Sequence, residues 1–276
     1  MNVVKINTNY FINKDIEYVL NYYKIGKKAI YNIMQNRRLL VNNNPVTLSH
    51  IIKKDDDVVF IDEEMIIIPY KQKIEVIYEN EYIIIVNKPT NILVHSDGNT
   101  YETLQNAVSN YLYENKKPIF CQAVHRLDYE TTGLVVFAKN SLALSFLSYA
   151  FENKMVHKEY ICLVKGKVNP PKGSIEKPIG KDRHSNKQII YTNGKLAKTL
   201  YETISYKQGI SKLKINIIGG RKHQIRVHLY SIGHPIIGDK IYANDMDEQL
   251  KLHARRISFI DPQTCEKIEI ETKETF

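Results

Sequence analysis

Residues 123–140, AVHRLDYETTGLVVFAKN, constrain this chain more than any other stretch. A polar segment, His125, Arg126, Leu127 and Asp128, is followed by Thr131, Thr132 and Gly133 and then by the unbroken apolar run LVVFA. The apolar run predicts a strand over 134–138, and the polar letters before it predict a turn at its mouth. An acid beside an arginine at such a turn is a poised carboxylate on the end of a rigid element. A second run, EYIIIVNK at 81–88, is apolar without alternation and bounded by Lys-Pro, which predicts another buried strand. The longest aliphatic runs are far too short to span a bilayer.

A chain of 276 residues that is 43% hydrophobic can build one large domain and a small one, each with its own core. The net charge of +9 favours a polyanionic partner, which admits nucleic acid and an anionic membrane surface. The first residues lack the apolar core of a signal peptide. Cys121, Cys162 and Cys265 are scattered and odd in number, which argues against a disulfide framework and suits a reducing cytoplasm. A cytoplasmic protein with no membrane attachment is expected.

Charge divides the first seventy positions. Residues 18–54 contain Lys24, Lys27, Lys28, Arg37, Arg38, Lys53 and Lys54 and no acid, while Asp55, Asp56, Asp57, Asp62, Glu63 and Glu64 follow. Ile16, Val19, Leu20 and Tyr23 have helical spacing, and Ala29, Ile30, Ile33 and Met34 suggest a second helix. A short strand leads from Arg37 to a turn at residues 42–45, and residues 58–61 form another strand. A linker is expected at 63–72. Beyond it, strands are expected near 159–164, 199–204, 213–218, 252–259 and 267–270, and helices near 104–112, 141–153 and 224–232. Long crossovers between antiparallel neighbours suggest an α+β fold.

The run at 123–140 resembles the signature of the RluA family of pseudouridine synthases, H-R-L-D-x-x-T-S-G-L followed by an apolar strand ending in A-K. Thr132 stands for the usual serine and keeps the hydroxyl. Further blocks follow in family order across residues 74–262. VNKPTNILVH at 86–95 resembles the family opening, with Asn91 in place of glycine and Ser96 where proline often follows. Asparagine tolerates left-handed backbone angles, so the turn is compatible with it. VHKEYICLVKG at 156–166 resembles the segment that carries the active-site tyrosine. GGRKHQIRVHLYSIGHPIIGDKIY at 219–242 resembles G-R-T-H-Q-I-R-x-H with its following G-H-P-I-x-G-D, and Lys222 replaces a common threonine. Leu252, His253 and Ala254 match the closing L-H-A.

The resemblance implies a catalytic domain over 74–276 with a mixed, largely antiparallel sheet, the pseudouridine synthase fold. It implies that Asp128 is the catalytic nucleophile, that Tyr160 is the active-site tyrosine and that Arg226 pairs with Asp128. A guanidinium can hold a carboxylate bidentately, and a phenol can stack on a flipped uracil or move a proton. Pseudouridine formation needs no external reagent, so no cofactor and no metal are expected. The spacing of Arg221, His223 and His228 fits no metal-binding pattern. The order of elements over 12–62 is similar to the small α/β RNA-binding module named for ribosomal protein S-four, with Lys27, Lys28, Arg37 and Arg38 as its RNA contacts. Arg126, Arg221 and Lys222 are expected to contact RNA near the reacting base.

Residues 177–198 hold Lys177, Lys181, Arg183, Lys187, Lys195 and Lys198 against Asp182 alone, and they also include Asn186. Such a segment could close on RNA phosphates or form a solvated hairpin. The whole predicts a monomeric enzyme acting on specific uridines of structured RNA, ribosomal RNA first and transfer RNA second. The alternative is a non-enzymatic RNA-binding or ribosome-assembly protein. Hydrolysis of a glycosidic bond usually pairs two carboxylates, and the resemblance implies only Asp128 as a catalytic carboxylate.

Overall fold

The two apolar runs form neighbouring strands in the middle of the larger sheet. The computed structural model describes residues 2–63, 65–66, 68–117, 120–185, 187–245 and 249–276. Glu64 of the acidic run and Asn186 of the basic segment lie outside them.

The chain opens with β1 (Asn2–Lys5), α1 (Ile16–Tyr22), α2 (Lys27–Gln35), β2 (Leu39–Val41), β3 (Asn44–Pro45) and β4 (Val58–Asp62). These strands form a four-stranded sheet in the order β1-β4-β2-β3. Asp15 caps α1 by accepting the Tyr18 N–H at 2.7 Å. The expected module at 12–62 omits β1, which pairs antiparallel with β4 from Asn2 opposite Asp62 to Lys5 opposite Val59. Four residues with only two inward side chains, Asn2 and Val4, leave too short a pattern to read.

Next come β5 (Glu75–Glu79), β6 (Ile83–Lys88), α3 (Leu104–Glu114), β7 (Gln122–Ala123), β8 (Thr132–Ala138), α4 (Ser141–Glu152) and β9 (His157–Lys165). The chain ends with β10 (Lys172–Glu176), β11 (Ile179–Lys181), β12 (Gln188–Ile190), β13 (Lys198–Lys207), β14 (Ile210–Ile218), α5 (Gln224–Tyr230), β15 (Leu252–Ile260) and β16 (Lys267–Glu271). The large sheet runs β10-β13-β14-β9-β15-β8-β6-β5, with β16 on β15 and β7 on β8. Among the described residues its pairings are antiparallel except β15 with β8. This is the expected α+β architecture. The basic segment forms the separate β11–β12 hairpin and runs on to the start of β13.

Both faces of β6 and β8 are covered, which is why neither strand alternates. Ile83, Ile85, Leu134 and Val136 face one core with Leu142 and Leu147 of α4 and with Val19, Leu20 and Tyr23 of the N-terminal module. Ile84, Val86, Val135 and Phe137 face the other with Leu104, Val108 and Leu112 of α3 and with Tyr160 and Ile225. The N-terminal module is therefore seated on the sheet rather than tethered beside it. Tyr23 stacks on Tyr82 at 6.1 Å, Tyr22 packs on Phe146 at 5.2 Å, and the Tyr82 hydroxyl donates to the Lys5 carbonyl at 3.1 Å. Asp62 accepts the Ser141 N–H at 2.6 Å and its hydroxyl at 2.8 Å, placing a carboxylate on the first turn of α4.

The parallel junction depends on one glycine. His253 pairs with Thr132 and Ala254 with Gly133. Gly133 has φ +112°, and a Cβ there would stand 2.3 Å from the Ala254 carbonyl oxygen. Gly133→Ala is expected to cost about 3 kcal/mol or more, through backbone strain and forced separation of β8 from β15. Equilibrium urea unfolding checks it.

Candidate active site

The turn at 124–131 is held from below by groups that sequence reading left without a role. Lys88, at the end of β6, is fully buried and donates to the carbonyls of Pro89, Tyr129 and Thr131 at 2.9, 2.9 and 2.8 Å. Burial pulls its pKa down to about 7, and Asp128 opposes that shift. The three carbonyl acceptors also favour the ammonium form. The Thr131 N–H donates to the Asp128 carbonyl at 3.1 Å and closes the turn. His125 stacks on Phe151 of α4 at 4.7 Å, and its Nε2 accepts the Val136 N–H at 3.1 Å. It is therefore a neutral, structural imidazole, and burial pulls its pKa down to about 3.

This scaffold presents the Asp128 carboxylate to a cavity of about 550 Å³, lined by Arg126, Tyr160, Lys222, His223 and Arg226 among others. Phe151, Ile225 and Leu252 supply apolar wall. The size suits one nucleobase with its sugar. Tyr160, on β9, is buried, and burial with the added effect of Asp128 pushes its phenol pKa well up. Arg126, Arg221 and Lys222 stand exposed at the rim.

Arg226 lies on α5 with 2% of its surface exposed, so its charge must be met inside the protein. Its fork is taken by Asp239: Nε donates to Oδ2 at 2.8 Å and Nη2 to Oδ1 at 2.7 Å. Nη1 stands 3.7 Å from Asp128 Oδ2, and Nη2 3.5 Å from Glu130. Burial works against the arginine's charge, and Asp239 first, then Asp128 and Glu130, more than offset it. The expected partnership of Arg226 with Asp128 is thus an ion-pair approach through Nη1, with the bidentate grip belonging to Asp239. Asp239 is itself fixed by the N–H groups of Ile241 and Tyr242, each at 3.0 Å.

His223 precedes α5 in a left-handed conformation, φ +55°. Its Nε2 is 4.0 Å from Asp128 Oδ1 and its Nδ1 is 3.1 Å from the Tyr242 hydroxyl. His228 is buried between the Thr199 hydroxyl, 2.9 Å from Nδ1, and the Lys177 carbonyl, 3.1 Å from Nε2. Among the described residues no group of three or more His, Cys, Asp or Glu is placed to hold a metal ion.

Sequence reading assigned Asp128, Tyr160, Arg226, Arg126, Arg221 and Lys222 to one site, and the structure brings all six to one cavity. Lys27 and Lys28 on α2 and Arg37 after it stand exposed on the N-terminal module and do not line that cavity. Arg38 departs from the expected RNA-contact role. It donates to the Ile61 carbonyl at 2.7 Å, Glu63 at 2.6 Å and Asp62 at 3.2 Å, and it lies over the Phe60 ring. Its guanidinium is consumed as an internal brace. Sequence reading gave no role to Lys88, Asp239 or Tyr242 and took His223 as a core or RNA-contacting histidine, although each sits inside a block that had been matched.

The sequence profile of the family described as RNA pseudouridylate synthase matches residues 82–231. An RNA pseudouridine synthase of Bacillus subtilis, YhcT, itself named as uncharacterised, is 34% identical over 256 residues, covering 89% of this chain and 84% of that protein. The dual-specificity RNA pseudouridine synthase RluA of Pasteurella multocida is 32% identical over 205 residues, 72% of this chain and 92% of that protein. The ribosomal large subunit pseudouridine synthase D of Borreliella burgdorferi is 35% identical over 221 residues, 75% of this chain and 67% of that protein. The solved structure of human RNA pseudouridylate synthase domain containing 1 shares the fold, with TM-score 0.65 and 23% identity over 76% of this chain and 87% of that one.

The neutral state of His125 makes stability depend on pH. The group binds a proton near 6.5 when unfolded and near 3 in the fold. Between those values the unfolded chain holds the extra proton, so stability falls as pH drops from 6.5 toward 3. His125→Gln keeps an acceptor for the Val136 N–H but cannot titrate. Its stability-against-pH slope in that window is expected to be shallower than wild type by up to about 1.4 kcal/mol per pH unit, measured by denaturant unfolding across a pH series.

Proposed function

Because the chain belongs to the RNA pseudouridylate synthase family and is an RNA-modifying isomerase, we propose that it isomerises specific uridines of structured RNA with Asp128 as the nucleophile. The observation that carries this is the Asp128 carboxylate in a nucleobase-sized cavity, 3.7 Å from an arginine that Asp239 holds in place. The target nucleotide leaves its stack to enter the cavity. Tyr160 forms the wall on which uracil rests. Arg226, fixed in direction, meets the charge of Asp128 as the C–N bond breaks. Arg126, Arg221 and Lys222 at the rim engage the phosphates flanking the flipped nucleotide.

We assign the target to ribosomal RNA first, with transfer RNA as the alternative. The names of similar relatives support this order, since one is a ribosomal large subunit synthase and another is a dual-specificity enzyme. Residues 12–62, with β1 added, are proposed as an S-four-type RNA-binding module, and residues 74–276 as the catalytic domain. Exposed Lys27, Lys28 and Arg37 support the module's role. The chain is proposed to act as a monomer. Three free cysteines, two of them buried, suit the cytoplasm. No helix among the described residues is long and apolar enough to cross a membrane.

Mapping pseudouridine in total RNA from cells with and without this protein tests the assignment. Loss of defined sites in ribosomal RNA is expected; loss only in transfer RNA would shift the target, and no loss in either would contradict the function. For the module, joint replacement of Lys27, Lys28 and Arg37 by Ala is expected to weaken RNA binding and make its salt dependence shallower by about two to three phosphate contacts. Slopes equal to wild type across a salt series would remove the module's RNA-binding role.

A further inference from the structure

The cavity contains one imidazole that the nucleophile and its arginine do not account for. Tyr242 accepts the Gln188 N–H at 3.0 Å and donates its hydroxyl to the Gln188 carbonyl at 3.1 Å. With its one proton on that carbonyl, the phenol accepts toward His223 Nδ1, 3.1 Å away. In that arrangement the hydrogen lies on Nδ1 and the lone pair on Nε2. That nitrogen points at the reacting carboxylate, 4.0 Å from Asp128 Oδ1. The left-handed backbone at His223 is an unusual conformation for a residue with a side chain, and such strain is retained where it aims a functional group.

We propose that His223 is the base that removes the proton from C5 of the uracil ring, and that Tyr242 is the positioning residue that fixes its tautomer. The proposal rests on the cavity being the uridine site. Attack of the Asp128 carboxylate on C1′ breaks the N1–C1′ bond with its electron pair left on N1; ring π electrons then form the C5–C1′ bond as the C1′–O bond to Asp128 breaks and returns its pair to the carboxylate. C5 then carries both the ribose and its original hydrogen. Transfer of that hydrogen to Nε2 as a proton returns the C–H pair to the ring as the C5=C6 bond, and the C6=N1 π pair moves to N1. N1 takes up the proton from the imidazolium. Charge and electrons balance with no external reagent.

Four other titratable groups around the cavity have partners or protons that keep them from this role. Tyr160 holds its proton because burial disfavours the phenolate. Nε2 of His125 is occupied by the Val136 N–H. Lys158 donates to the Gly219 carbonyl at 2.6 Å, and Lys88 donates to three carbonyls. His223, by contrast, is kept neutral by burial, with Asp128 and Asp239 opposing and Arg226 and Lys222 reinforcing that shift.

The test uses the full chain and unmodified transcripts of large-subunit ribosomal RNA and transfer RNA, made with ordinary or 5-deuterated uridine. Single-turnover rates of pseudouridine formation are compared for wild type, His223→Gln and Tyr242→Phe. His223→Gln is expected to be slower by about 100-fold or more, with RNA affinity retained, and to show a deuterium effect of about two or more because proton removal has become limiting. Tyr242→Phe, which removes one oxygen, is expected to lose about tenfold and to show the same isotope effect. A His223→Gln rate within threefold of wild type, or slowing in both variants with equal rates for the two uridines, would overturn the proposal. Wild type inactive on both transcripts would overturn the cavity reading, and the proposal with it.

Discussion

A guanidinium sealed inside the protein organises this molecule's chemistry. Arg226 is 2% exposed, and a charge so placed is tolerated only when opposite charge and hydrogen bonds surround it. Asp239, fully buried, supplies the fork-to-fork pair, and its own orientation comes from two backbone N–H groups in the turn after Gly238. A Cβ on Gly238 would meet the Gln249 carbonyl oxygen at 2.2 Å, so the close passage of that turn requires glycine. The remaining nitrogen of Arg226 has one direction left to it, toward Asp128. Three carboxylates around one cation leave the cluster negative, and Lys240, 3.8 Å from Glu130, relieves part of that excess at the rim. The setting of Asp128 is thus fixed by a pair buried behind it and by Lys88 beneath its turn.

Much of this was legible from residue order. The unbroken apolar runs at 83–86 and 134–138 are central strands because the sheet is covered on both sides, by α4 with the N-terminal module and by α3. Asn91, standing where glycine is usual, adopts φ +57°, as its side chain permits. The cavity residues Asp128, Tyr160 and Arg226 were found through their places in matched segments, since a single tyrosine among 19 carries no signal of its own. What escaped was pairing. A sequence shows that Arg226 is basic but not which of Asp128, Glu130 and Asp239 takes its fork. Arg38 reads like its exposed neighbour Arg37, yet a turn of backbone puts it against Asp62 and Glu63. The tautomer of His223 depends on the backbone of Gln188, 35 positions earlier, through Tyr242.

The seating of the N-terminal module joins it mechanically to the turn that carries Asp128. Tyr23, just after α1, and Tyr82, just before β6, share one core, and Asp62 ends its strand on the first turn of α4. The far end of that helix contributes Phe151, which stacks on His125 in the turn that carries Asp128. A rigid helix therefore runs from the module's base to the cavity wall.

Asp128 is proposed as the nucleophile in this setting. Asp128→Asn changes one atom and preserves size, so the most direct measurement is single-turnover pseudouridine formation by the purified variant beside RNA affinity. Binding within about threefold of wild type with isomerisation at background, a loss of about 10⁴-fold or more, is the result expected. Turnover near the wild-type rate would contradict the claim.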